Sequence, residues 1–268
     1  MAYGKRLYQR QARDLGVSLR LHSPQVPLAL VTQWPDDSIA KLFDVIVPLS
    51  GRSRTDCRPK LDVDLYTPFR HTMYLDSDSL AVHDVEPLLT RFRSFEFVVF
   101  GRNVSPGRWY EDVTTLCKLA GATSIPQFSG GFMYFASTPR TAEIFAPARM
   151  LADNYAELGF DRFNHGVADE PLLSIALARH GIPATPTMHD AVVSVLGLTG
   201  TLHMSVVDRY ARFRKHGQDM APAVVHFASD FSSRWRPAGA TYRRERRRLR
   251  GTAAGSGDNP TTSRQVNL

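Results

Sequence analysis

The chain has only two cysteines in 268 residues, Cys57 and Cys117. That is too few for a disulfide framework or a cysteine-built metal cluster, and it agrees with a reducing compartment. No apolar run reaches the roughly 18 residues needed to span a bilayer. The opening stretch, MAYGKRLYQRQARD, lacks a signal-like apolar region, so the cytoplasm is the expected address. No glycine-rich phosphate loop is visible near the N-terminus, which weighs against a nucleotidyltransferase. With 43% hydrophobic and 22% charged residues, the chain has material for one sizeable core.

The formal net charge of +7 is unevenly spread. Tyr242 to Arg250 reads YRRERRRLR, and the GTAAGSGDNPTTSRQVNL that follows has almost no apolar content. These features divide the chain into a domain over 1–241 and a C-terminal tail over 242–268, basic at first and disordered from about Gly251. The basic run suits peripheral contact with an anionic membrane, and equally a solvated helix end. A nucleic-acid partner is not expected.

Along the body, short β-like segments alternate with longer helical ones, the pattern of an α/β domain. Leu7 to Leu21 reads as a helix ended by Pro24 and Pro27, and Pro27–Thr32 and Phe43–Pro48 read as buried strands flanking a short helix over Pro35–Leu42. Lys60–Pro68 suits a helix and Phe95–Phe100 a strand. Thr141–Glu157 reads as an amphipathic helix capped by Thr141.

Residues Thr72 to Val82, TMYLDSDSLAV, carry the most chemistry. An apolar strand ends in two carboxylates, Asp76 and Asp78, separated by the small Ser77. In an extended chain, residues two apart point the same way, so both can converge on one divalent cation. Oxygen ligands suit magnesium or manganese, and such an ion can bridge the phosphates of a nucleotide sugar. Asp and Ser also begin turns, so the pair alone leaves an ordinary turn open.

Three later segments add candidates. Gly130 and Gly131 open SGGFMYFA and permit close backbone approach, either to a sugar or phosphate or within a plain turn. Asp169 and Glu170 precede Pro171 and the run LLSIALARHG, which is helix-start chemistry with room for a carboxylate directed at a reacting sugar. His226 lies within AVVHFA, a strand-like segment where a core histidine and a metal ligand are both possible.

The order of these segments, KLDVDLYTPF, YLDSDSLAV, SGGFMYF, DEPLLSIAL and VVHFAS, resembles the nucleotide-sugar glycosyltransferases of the glycogenin and lipopolysaccharide galactosyltransferase type (glycosyltransferase family 8). The resemblance runs from about Tyr8 to Phe231. It implies the GT-A fold, a Rossmann-like mixed sheet flanked by helices. It also implies that Asp76, Asp78 and His226 hold Mn2+ (or Mg2+) for the donor diphosphate. Lys60 would contact the donor sugar or its phosphate, Ser77, Gly130 and Gly131 would border the donor, and Asp169 would hydrogen-bond the sugar near the reacting carbon.

Two departures stand out against that family. Glu170 occupies a place that is often Gln, which changes the polarity around the transferred sugar. The opening strand that helps grip the nucleotide is missing, and a start codon placed too far downstream would account for it. The implied reaction moves a hexose from a nucleoside diphosphate sugar to an acceptor hydroxyl with retention of configuration. A sugar nucleotidyltransferase, or a non-catalytic protein binding nucleotide sugar or polyanion, are the alternatives. Donor and acceptor identities are not legible, and Thr187–Met220, with His189, His203 and Asp208, carries no interpretable motif.

Overall fold

The computed structural model describes residues 1–34, 36–49, 56–163, 166–228 and 237–255. Helix α1 (Arg6–His22) leads to β1 (Ala29–Thr32), the one-turn α2 (Asp37–Ala40) and β2 (Val45–Pro48). A 3-10 turn over Arg58–Asp62 runs into α3 (Val63–Tyr66), then β3 (His71–Leu75), β4 (Ser79–Ala81), α4 (Glu86–Phe92) and β5 (Phe97–Val98). Next come β6 (Gly101–Val104), β7 (Arg108–Trp109), β8 (Glu111–Asp112), α5 (Val113–Ala120), β9 (Ile125–Phe128) and β10 (Phe132–Ala136). Helices α6 (Pro139–Asp153) and α7 (Asp169–Arg179) precede β11 (Val192–Ser194), β12 (Leu198–Ser205), β13 (Tyr210–Lys215), β14 (Gln218–Met220), β15 (Val224–His226) and α8 (Pro237–Gly255).

The α/β reading of the sequence holds, with mixed pairing. β1 and β2 are parallel, β10 is antiparallel to both β3 and β5, and β15 runs parallel to β11 and antiparallel to β4. Strands β12 to β14 form a separate antiparallel meander. Helices α5, α6 and α7 cover one face through Leu116, Phe145, Leu172 and Leu177, packed with Phe97 and Phe135 of the sheet. Phe92, Phe100, Phe132 and Tyr134 fill the opposite side. Burying such rings stabilises the fold by about 1.5–3 kcal/mol each.

Several boundaries differ from the sequence reading. The cap of α6 is Thr138, whose hydroxyl accepts the Thr141 N–H, so Thr141 lies inside the helix rather than before it. Segment Phe95–Phe100 keeps only two strand residues, because the chain shifts after Val98 to pair β6 with β9. Lys60–Pro68 is a 3-10 turn followed by one α turn.

Among the described residues no strand lies between β1 and β3. β1 pairs with β2 on one side and makes a single parallel bridge from Thr32 to Ala2 on the other, while β3 pairs only with β10. An apolar cavity of about 580 Å³ separates them, walled by Leu28, Leu30, Phe43, Met73 and Leu75.

The boundary drawn at residue 242 falls within α8. Tyr242 is fully buried and stacks on Phe227 at 4.4 Å between ring centroids, and Leu249 is buried too. Arg246 and Arg250 both bind the carboxylate of Asp14, a buried residue of α1. Two of the six arginines of the basic run are therefore committed to an internal ion pair. Of the stretch expected to be disordered from Gly251, residues 251–255 continue α8 and 256–268 lie outside the described residues.

Candidate metal and donor site

Strand β3 alternates partly exposed and buried positions and ends at Leu75. At Asp76 the chain leaves the strand, with the Asp76 N–H donating to the Gly131 carbonyl at 3.0 Å and the Ser79 N–H to the Asp76 carbonyl at 3.0 Å. Asp76 and Asp78 are thus brought together by a tight turn, not by strand alternation; the turn reading and the metal reading describe the same residues. Strand β4 continues from the turn and pairs with β15, setting His226 opposite Ser79. The Phe227 N–H donates to the Asp78 carbonyl at 3.1 Å and pins that register.

These contacts gather one ligand atom each from Asp76, Asp78 and His226 within 4.8 Å of one another. His226 Nε2 stands 3.3 Å from Asp78 Oδ1 and 3.7 Å from Asp76 Oδ2. Burial opposes the imidazolium, yet the two carboxylates outweigh it and raise the His226 pKa above its ordinary value. Two carboxylates and one imidazole form a donor set suited to a borderline divalent ion, so these residues fit manganese, and magnesium less well for its preference for oxygen.

Lys60 holds the opposite side. Its ammonium donates to Asp76 Oδ2 at 2.8 Å and lies 3.7 Å from Asp169 Oδ2. Burial disfavours that charge, but Asp169 and Asp76 overcome the penalty and lift its pKa well above the lysine norm. Asp76 is partly buried, and against the resulting desolvation Lys60 and His226 bring its pKa below the usual carboxylate value. The Tyr74 hydroxyl donates to the other Asp76 oxygen at 2.6 Å and orients the carboxylate.

What approaches the two glycines is the chain itself. A Cβ at Gly131 would fall 2.2 Å from the His226 ring, and one at Gly130 would fall 2.8 Å from Asp169 Oδ2. Asp169 and Glu170 lie in the first turn of α7, not ahead of it. Glu170 Oε1 accepts the Gly130 N–H at 2.7 Å. Burial and the adjacent Asp169 push the Glu170 pKa up to about 7, opposed by that N–H and by the Tyr110 hydroxyl. All nine residues picked out in the sequence, from Lys60 to His226, therefore meet in one place, with Ser77 buried in the turn between the carboxylates.

Sequence reasoning missed Tyr74, Tyr110 and Cys57. Tyr110 sits at a hairpin tip with φ of 58°, a conformation costly for a tyrosine, and its hydroxyl comes near enough to Glu170, sixty positions away, for each to shift the other's ionisation. The Cys57 thiol lies against Asp169, and burial drives its pKa far up, which keeps it an unreactive thiol. Only the alternation of Tyr74 with Asp76 offered any local signal. His189, His203 and Asp208 are not drawn into the metal cluster.

No family model and no curated protein matches the chain. Among solved structures, the galactosyltransferase LgtC in complex with donor and acceptor sugar analogues aligns with a TM-score of 0.57 at 13% identity, over 95% of this chain and 94% of that one. An active-site mutant of LgtC, in which a Gln is replaced by Glu, aligns with a TM-score of 0.56 at 12% identity over the same shares. At this identity the likeness establishes the fold, and the chain has the GT-A fold of the glycosyltransferases.

Proposed function

We propose that this chain is a divalent-metal-dependent glycosyltransferase that moves a hexose from a nucleoside diphosphate sugar to an acceptor hydroxyl with retention. The observation that carries the reading is the convergence of Asp76, Asp78 and His226 within 4.8 Å, walled by Lys60, on a GT-A fold. Buried charges of this kind are expensive to keep without a use. Asp76, Asp78 and His226 would hold Mn2+ or Mg2+, which when bound neutralises charge on the departing diphosphate.

The protein's own groups supply the rest. The Lys60 ammonium adds fixed positive charge on the donor side, where negative charge develops as the bond from anomeric carbon to phosphate oxygen breaks. Asp169, held by Lys60, orients the sugar near the reacting carbon. Glu170, whose pKa stands near 7, can keep a proton at neutral pH and donate a hydrogen bond as an amide would. The acceptor oxygen bonds to the anomeric carbon, and its proton passes to the leaving phosphate.

No helix among the described residues is long and apolar enough to cross a membrane. A cytoplasmic site of action belongs to this reading, as does peripheral contact with anionic lipid through the partly exposed Arg244 and Arg248 of α8. The test is manganese titration by electron paramagnetic resonance, with and without nucleoside diphosphate, followed by assignment of the product's anomeric configuration. One bound manganese whose signal changes with the nucleotide, and a retained configuration, support the reading; no bound manganese, or an inverted product, contradicts it.

A further inference from the structure

Lys215 ends β13 and reaches from the meander toward the metal site. Its ammonium donates to the Ser194 carbonyl at 2.9 Å. Among the described residues no carboxylate pairs with it; burial alone acts on its charge. A partly buried cation left without an anion is unusual, because desolvation is offset only by a counter-charge or by hydrogen bonds.

The ammonium faces a pocket of about 40 Å³ whose polar wall is Ser129, Thr187, Ser194, Lys215 and His226. At about 10–15 Å³ per water that is room for about three or four waters, or for the oxygens of one small anion. The pocket shares His226 with the metal cluster, and Ser129 adjoins Gly130 of the donor wall. A cation ringed by hydroxyls, with no acid in the wall, selects an oxyanion. The charge of a donor diphosphate is already met by the metal ligands' ion and by Lys60, on a different part of the chain.

We infer that the Lys215 pocket binds a phosphate or carboxylate group of the acceptor, so that the protein glycosylates an acidic acceptor; the acceptor half of this statement rests on the proposed glycosyl transfer. The segment Thr187–Met220, which bore no readable motif, thereby gains a role in choosing the acceptor.

Calorimetric titration with inorganic phosphate in EDTA tests the pocket without metal or turnover. Wild type is expected to bind phosphate, Lys215→Met at least tenfold more weakly, and Lys215→Arg close to wild type, with circular dichroism confirming that each variant is folded. Equal binding by Lys215→Met and wild type, or no binding by wild type, overturns the site. Repeating the titration with manganese and saturating nucleoside diphosphate separates the two sources of the anion. Unchanged phosphate affinity supports the acceptor; displacement of phosphate assigns the pocket to the donor and overturns the acceptor role. A protein without transferase activity would still bind phosphate, and a failed pocket would leave donor hydrolysis intact, so the two readings fail separately.

Discussion

His226 lies flat across Gly131, so closely that a single methyl there would come within 2.2 Å of the imidazole. The backbone of Gly131 is not left-handed, so an alanine meets no conformational penalty and its effect would act through the histidine alone. Gly131→Ala should displace the ring, weaken manganese binding by at least about tenfold and lower the stability by about 1–3 kcal/mol through overpacking. Unaltered manganese affinity would mean that His226 is not a ligand.

Tyr74 tests the support behind the ligands. Its hydroxyl makes a 2.6 Å bond to Asp76, and removing such an outer partner typically costs about 10–100-fold in metal affinity or activity. Tyr74→Phe should fall in that range in a manganese titration, while the ring keeps its packing.

Glu170 gives the stability a definite pH dependence. Its folded pKa stands near 7 against the ordinary glutamate value of 4.5, so the folded state holds the proton more tightly than the unfolded chain does. Its contribution is therefore fully present below about pH 4.5 and is lost as pH rises through 7. Glu170→Gln removes that titration and should be more stable than wild type at pH 8, by on the order of 3 kcal/mol, with the gap closing at pH 5. Urea midpoints at the two pH values measure it, and parallel curves would show that Glu170 is not buried as a neutral acid.

The α1–α8 contact predicts that residues 242–255 are structural. Asp14 is buried and bound by Arg246 and Arg250, and uncovering such a carboxylate costs about 3–5 kcal/mol. Ending the chain at residue 241 also removes the buried Tyr242 and Leu249. The shortened protein should melt at a clearly lower temperature or fail to stay folded, and a melting temperature equal to wild type would show that α8 is not part of the core.

What was legible in the sequence is what local periodicity and local chemistry control. Apolar runs marked β1, β2, β3 and β15, and the spacing of Asp76 and Asp78 marked the site, although a turn rather than an extended chain draws them together. The approach of Tyr110 to Glu170 was invisible, because sixty positions separate them and only the tertiary fold sets their distance. Thr138 and Thr141 are chemically equivalent caps, and backbone geometry alone chose between them. The basic run at 242–250 was legible as charge but not as core, since Tyr242 and Leu249 find their partners in distant strands.

The most direct measurement is release of nucleoside diphosphate from a panel of nucleoside diphosphate sugars, by wild type and Asp78→Asn, in manganese and in EDTA. The account predicts turnover of at least one donor by wild type in manganese only, and its loss in a folded Asp78→Asn. Turnover that survives EDTA or the substitution would contradict a metal-dependent transferase built on Asp76, Asp78 and His226.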